Sequence, residues 1–84
     1  MDSIMRVTVY IKIKPEVLDP QGTAIARALS DLGFAGINKV RQGKIIEIDL
    51  DKTNAIKAVS DTESMCERLL ANTIIEDYSI SIGE

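Results

Sequence analysis

The chain has 84 residues, a length that predicts a single domain, residues 1–84, with a modest hydrophobic core. Hydrophobic residues make up 45% of it, but Trp is absent, so Ile, Val, Leu and Met must supply most of that core. The formal net charge of −3 argues against nucleic-acid binding, because such binding depends largely on the neutralisation of phosphates.

The residue inventory also limits the chemistry that this chain can perform. It has no His, the commonest general acid–base and nitrogen ligand for metals, and its one Cys, Cys66, cannot form an internal disulfide. No phosphate-binding Gly motif, signal peptide or apolar run of about 20 residues is visible. We therefore expect a cytoplasmic protein that is not membrane-bound and has no catalytic residue, metal or cofactor of its own.

The first two elements follow from periodicity and end signals. Alternating hydrophobic residues predict a strand over residues 4–14, ended by Pro15, which cannot donate to a strand ladder. A helix is predicted over residues 20–32. Asp19 is a favoured N-cap for it, Pro20 suits the first helical position, and Gly33 supplies a left-handed residue at its end.

Two further strands, residues 37–41 and 44–51, are predicted to form a hairpin around Gln42 and Gly43. In this tight turn Gly43 takes positive φ, which its missing side chain allows. A two-residue turn would place Val40 opposite Ile45, on one face of the sheet.

The last two elements are a helix over residues 53–71 and a strand over residues 76–82. Two starts for the helix stay open: Thr53 can cap a long helix, or a capping box beginning at Ser60 can start a shorter one. Asn72 is predicted to end this helix in the left-handed conformation.

The order β-α-β-β-α-β predicts an α+β, ferredoxin-like, two-layer sandwich, with a four-stranded antiparallel sheet and both helices on one face. The open face of that sheet is predicted to carry Arg6, Thr8, Tyr10, Lys12, Glu47 and Asp49. With Val40 and Ile45 added, Tyr10 is compatible with a sheet-to-sheet contact between subunits or with an ordinary amphipathic surface.

The remaining reactive groups have structural interpretations. Cys66 lies on the apolar stripe of the second helix, where burial makes a thiol inert, so a structural role is favoured over a reactive one. Glu47, Asp49 and Asp51 recur at alternate strand positions. A hard-cation site and a solvated acidic face both fit them, and the solvated face is favoured.

Three segments together resemble the PurS family. They are Lys14-Pro-Glu-Val-Leu-Asp-Pro-Gln-Gly22, Val40-Arg-Gln-Gly-Lys-Ile45, and Met65-Cys-Glu-Arg-Leu-Leu-Ala-Asn72 leading to Tyr78. There are two departures from the family pattern. Thr73 stands where the family usually has Pro, and residues 1–4 form an N-terminal extension, so Met5 is an alternative translation start.

This resemblance implies the fold above and a non-catalytic small subunit of phosphoribosylformylglycinamidine (FGAM) synthase. With a large synthase subunit and a glutaminase subunit, it would convert formylglycinamide ribonucleotide, glutamine and ATP to FGAM, glutamate, ADP and phosphate in de novo purine biosynthesis. The ATP and Mg sites are implied in the synthase and the thiol nucleophile in the glutaminase. The small subunit is implied to form a homodimer or homotetramer that bridges both partners for ammonia transfer.

The motif residues divide into two groups. Residues with an evident structural reason are Pro15, Asp19, Pro20, Gly22, Gly43 and Asn72. Residues with no obvious local role, together with one from the open face, are predicted to contact partner subunits: Lys14, Gln21, Arg41, Lys44, Tyr78 and Tyr10.

Two other function classes remain as alternatives. An ACT-like regulatory module shares the β-α-β-β-α-β order and binds small molecules, but the Gly-rich ligand loop expected after its first strand is missing here. A stand-alone enzyme is disfavoured, because the chain lacks His and a clustered nucleophile.

Overall fold

The computed structural model describes residues 3–83, which form an α+β fold. Its strands are β1 (Ile4–Ile13), β2 (Gly43–Asp51) and β3 (Glu76–Gly83), and its helices are α1 (Pro20–Asp31) and α2 (Ala55–Met65). A π-helical segment, Cys66–Leu70, continues α2.

The sheet has β1 at its centre, in the order β2-β1-β3, and both pairings are antiparallel. Val7 lies opposite Ile48 on one side and Ile82 on the other, so alternate residues of all three strands share a face. The apolar alternation of β1 predicted this central strand correctly.

The predicted hairpin is wrong, and the described residues form three strands instead of four. Lys12 pairs with Gly43, so β2 begins at the end of β1, and residues 37–41 run beyond the sheet without joining it. Ile45 therefore lies opposite Tyr10 and not Val40.

Gly43 has a different role from the predicted turn. Positive φ in the described residues occurs only at Gly33 and Gly36. A Cβ on Gly43 would lie 2.6 Å from the carbonyl oxygen of Ile11, so this glycine allows close approach of the backbones of β1 and β2.

The start of α1 is as predicted. Asp19 is its N-cap, and Oδ1 of Asp19 accepts a hydrogen bond of 2.9 Å from the N–H of Gly22. Pro20 occupies the first turn, where its missing N–H leaves no bond unmade. Gly33 follows the helix with φ of 99°, which confirms its predicted left-handed conformation.

The start and the end of α2 each differ in detail from prediction. Its N-cap is Asn54, whose side chain accepts from the N–H of Lys57 at 2.7 Å. The long helix is therefore the correct alternative, with its cap one residue after Thr53, and a start at Ser60 is wrong. Asn72 does not have positive φ. Its carbonyl accepts from the N–H groups of Ile75 and Glu76, so it closes a turn after the π-helical segment.

The core lies between one face of the sheet and α2 with its π-helical continuation. Its buried members are Met5, Val7, Val9, Ile11, Ala58, Thr62, Cys66 and Ala71. The prediction that Cys66 is buried is confirmed, since it is 0% exposed, and this burial raises the pKa of its thiol.

The prediction that both helices cover this face is wrong for the single chain. Gly22 is the only buried residue of α1, while Ile25 and Leu32 are exposed. The radius of gyration is 16.6 Å, whereas a compact chain of this length has about 12 Å. Residues 14–42, here called the arm, therefore extend beyond the sheet.

The predicted N-terminal extension takes part in the sheet where it is described. Ile4 pairs with Asp51, and the carbonyl of Ser3 accepts from the N–H of Lys52 at 2.7 Å. Residues 1 and 2 lie outside the described part of the chain. A translation start at Met5 stays a prediction.

Candidate interaction surface

The base of the arm gathers most of the motif residues at one end of the sheet. The backbone leaves the sheet after Ile13 and returns to it at Gly43, so both ends of the arm meet there. Polar side chains from three parts of the chain converge at this base.

Asp19 is the centre of the arm base. Its Oδ1 accepts from Gly22, and its Oδ2 accepts from the N–H of Gln42 at 2.7 Å, so one carboxylate joins α1 to the start of β2. Asp19 is 3% exposed. The hydrogen bonds from Gln42 and Gly22 lower the pKa of this carboxyl group, because they stabilise its charged form.

Gly22 allows the second contact of the arm base. A Cβ at this position would lie 2.1 Å from the carbonyl oxygen of Val40, so only glycine permits this approach of helix and returning segment. The sequence indicated a structural role for Gly22, but its local spacing did not predict a contact with Val40.

Arg41 makes the third contact. Its guanidinium donates to the carbonyl oxygens of Lys14 at 2.6 Å and Ile13 at 3.2 Å. The interpretation that Arg41 lacks a local role is therefore wrong, because its side chain ties the end of the arm to the end of β1. Lys14 also has a structural role through its backbone, because its N–H donates to the carbonyl oxygen of Ile75 at 2.8 Å.

Gln21 and Lys44 are the predicted contact residues that remain exposed at the arm base. They line a shallow cleft of about 200 Å³, which also includes Gln42 and Glu76. On the other side, Lys12, Lys39 and Arg41 line a second cleft with Pro15 and Asp77. The sequence did not indicate Lys39, because its place beside Arg41 depends on the path of the arm.

Tyr10 and Tyr78 lie on opposite faces of the sheet and do not form one site. Tyr10 is 44% exposed on the open face, between Ile45 and Ser79. The hydroxyl of Tyr78 donates to Oε2 of Glu67 at 2.8 Å. This hydrogen bond to the carboxylate, with burial, raises the pKa of Tyr78 to about 12, so Tyr78 too has a local role.

The open face carries Arg6 and Asp49, as predicted. Nε of Arg6 donates to Oδ1 of Asp49 at 3.0 Å, an exposed ion pair between neighbouring strands, and this contact raises the pKa of Arg6. Within residues 3–83, no three His, Cys, Asp or Glu side chains lie close enough to hold a metal ion. None of the described helices has both the length and the apolar character for a membrane span.

The fold and the arm base define a small α+β protein in which the charged side chains of Asp19 and Arg41 bind backbone groups at one end of the sheet. Comparison with known proteins gives the particular family. The family model described as PurS, phosphoribosylformylglycinamidine (FGAM) synthase, matches residues 6–84. The chain therefore belongs to the PurS family, and its function is that of a PurS subunit of FGAM synthase in purine biosynthesis.

Relatives and solved structures match over nearly the whole chain. The PurS subunit of Mycobacterium leprae is 49% identical, over 90% of this chain and 92% of its own. The PurS subunit of Bacillus subtilis is 43% identical, over 94% and 93%. The crystal structure of Methanocaldococcus jannaschii PurS is 41% identical with a TM-score of 0.85, over 95% and 96%.

One further solved structure is that of a larger assembly. A chain in the structure of PurLQS from Thermotoga maritima is 28% identical, with a TM-score of 0.83, over 95% of this chain and 98% of that chain. The resemblance stated from the three sequence segments is confirmed. These matches favour an enzyme subunit over an ACT-like module.

Proposed function

We propose that this chain is a non-catalytic, single-domain subunit that joins the glutaminase and synthase subunits of FGAM synthase. The observation that carries this proposal is the match over 95% of the chain to a chain of Thermotoga maritima PurLQS. The chain itself acts in the cytoplasm as a homodimer or homotetramer. ATP and Mg bind to the synthase partner and not to this chain.

The arm base supports this function, because it combines a rigid backbone with exposed polar side chains. Asp19 and Arg41 hold the backbone in place through hydrogen bonds to four backbone groups. Gln21 and Lys44 remain exposed beside this frame. Because the backbone here is already held in place, contact with a partner costs little backbone entropy, and the entropy lost is mainly that of the side chains.

Lys44 is the residue best suited to test the contact with a partner. It is exposed near the start of β2, and its side chain has no hydrogen bond or ion pair with another described side chain. Arg41 is less suitable, because its replacement also breaks contacts within the arm base. We expect Lys44→Glu to leave the fold intact and weaken assembly, because it places a negative charge in the contact.

A pull-down from the three purified components measures this effect. The matched control is Lys52→Glu, which makes the same charge change on an exposed residue beyond the other end of β2. The proposal expects less synthase or glutaminase retained by Lys44→Glu than by Lys52→Glu. Failure of the unmodified chain to retain either partner would overturn the bridging function, and equal retention by both variants would exclude the contact at Lys44.

A further inference from the structure

The second cleft at the arm base carries an excess of positive charge. Lys12, Lys39 and Arg41 line it together with one acidic side chain, that of Asp77. The first cleft is lined by one cationic and one acidic side chain, so their charges balance. The whole chain has a formal net charge of −3. The second cleft is therefore a positive site on an acidic protein.

Arg41 lines this cleft with a guanidinium group that is already fixed. Its Nη2 donates to the carbonyl oxygens of Lys14 at 2.6 Å and Ile13 at 3.2 Å, and these two bonds use both hydrogens of that nitrogen. Within residues 3–83, Nε and Nη1 make no hydrogen bond. Because a guanidinium group has five N–H donors, three of them remain for a ligand, on a side chain that needs no further ordering.

The two lysines reach the cleft from different parts of the chain. Lys12 lies near the end of β1, and Lys39 lies in the segment of the arm that returns to β2. Both are exposed, and neither ammonium group makes a hydrogen bond or ion pair in the part of the chain that the structure describes. Lys12 lies opposite Asp77 in the pairing of β1 with β3, but the two charges do not form an ion pair there.

We propose that this cleft binds a phosphate group, of free phosphate or of a phosphate monoester, between Arg41 and the ammonium groups of Lys12 and Lys39. A phosphate group carries a charge of about −1.5 to −2 at pH 7 and several acceptor oxygens. This charge matches the excess of cationic over acidic side chains in the cleft. Arg and Lys are the side chains that most often bind phosphate in proteins.

The size and lining of the cleft favour a small ligand. Its volume is about 270 Å³, whereas pockets for larger organic ligands have about 300–1,000 Å³. Ile13 and Pro15 supply apolar surface beside the charges, but the described residues that line the cleft include no aromatic ring on which a base would stack. A single carboxylate would leave part of the positive charge uncompensated. The proposed site goes beyond the bridging function and does not depend on it.

Calorimetric titration of the purified chain tests the site. The probes are inorganic phosphate and ribose 5-phosphate, each at millimolar concentration and at low ionic strength, because salt screens exposed charges. Acetate, which carries a single charge, is the control anion. We expect at least one of the phosphates to bind, and acetate to bind several-fold more weakly. The tighter of the two phosphates identifies the ligand as the free anion or the monoester. Absence of binding by both, or equal binding of acetate, would overturn the proposal.

Two substitutions locate the binding without breaking the arm base. Lys12→Gln and Lys39→Gln each remove one charge from the cleft, and we expect each to weaken phosphate binding about three- to fivefold. The matched control is Lys52→Gln, the same change on an exposed residue beyond the other end of β2, which should keep the original affinity. Equal affinities of Lys39→Gln, Lys12→Gln and Lys52→Gln would show that phosphate binds elsewhere and would overturn the site.

Asp77→Asn gives a test in the opposite direction. It removes the one negative charge that lines the cleft, so we expect phosphate to bind more tightly. Asp51→Asn makes the same change on an exposed residue at the far end of β2 and should alter the affinity little. An Asp77→Asn variant that binds phosphate no more tightly than Asp51→Asn would contradict the site.

These outcomes separate the inference from the proposed function. A chain that binds neither phosphate, but whose Lys12→Gln and Lys39→Gln variants retain less synthase or glutaminase, uses the cleft for an acidic group of a partner, and the phosphate site is then overturned. A chain that binds phosphate as expected but retains neither enzyme partner overturns the bridging function alone.

Discussion

Two charged residues at the arm base, Asp19 and Arg41, bind backbone groups with their side chains. Asp19 has two carboxylate oxygens, and each accepts a hydrogen bond from a different N–H, at Gly22 and Gln42. Arg41 donates to two carbonyl oxygens. A charged group that satisfies backbone groups in this way contributes more than a neutral one.

Asp19→Asn tests the carboxylate and its pH dependence. The amide keeps one acceptor but presents an N–H₂ group to one of the two backbone donors, so we expect lower stability at pH 7. The pKa of Asp19 is lowered in the folded chain, so its stabilisation is full above the unfolded pKa of about 3.9. It is lost as the pH falls through the lower folded pKa.

The stability difference between the original chain and Asp19→Asn should therefore shrink below about pH 4. Urea unfolding at a series of pH values measures it. Glu16→Gln, a neutralised carboxyl group on an exposed residue of the arm, is the control. A difference that stays constant from pH 7 to the most acid condition would contradict the ionic contribution of Asp19.

Gly22→Ala tests the close approach of the backbones in the arm base. Ala normally favours a helix over Gly by about 1 kcal/mol, but here its Cβ would lie 2.1 Å from the carbonyl oxygen of Val40. We expect net destabilisation of about 1–3 kcal/mol, typical of overpacking. In Gly83→Ala the new Cβ meets nothing within 4 Å, so this control should be close to neutral in the same denaturation measurement.

The elements of the chain differ in how well local pattern predicted them. β1 and β3 alternate strictly, and α1 has Asp19 and Pro20 at its start, so these elements appear within one or two residues of prediction. The start of α2 was not settled by pattern, since Thr53, Asn54 and Ser60 are all acceptable N-caps by residue type. Only the backbone path after β2 selects among them.

Asn54→Ala tests the observed start of α2. The side chain of Asn54 accepts from the N–H of Lys57 at 2.7 Å, and loss of such a cap costs about 1 kcal/mol. Ser60 lies inside the helix and is exposed, so Ser60→Ala should change stability little. A larger loss for Ser60→Ala than for Asn54→Ala in chemical denaturation would contradict this start.

Residues 37–51 show why a strand-like sequence pattern can lead to a wrong prediction of how the strands pair. The pattern over residues 37–51 is that of two short strands, and a hairpin would satisfy it. The chain instead uses Val40, Arg41 and Gln42 to close the arm base, where Gly22, Lys14 and Asp19 provide their partners. These contacts join residues 18 to 27 positions apart, and periodicity carries no information about them.

The dependence of thermal unfolding on chain concentration tests whether the folded chain associates with itself. We expect the proposed homo-oligomer to supply part of the stability, because the core of one chain is small and α1 contributes no apolar side chain to it. We expect the midpoint of thermal unfolding to rise with chain concentration, because mass action favours an associated folded state. Calorimetry over about a hundredfold range of chain concentration measures this midpoint. A midpoint independent of concentration would contradict the association.

Local pattern and motif order were sufficient to predict the α+β class, the central strand, the capped first helix, the buried thiol and the family. The contacts made by the motif residues could be learned only from the folded chain. Asp19 joins α1 to β2, Gly22 and Gly43 permit close approach of backbones, and Arg41 ties the arm to β1. The physical reason is that each of these contacts depends on where distant backbone groups lie, which periodicity and residue type do not specify.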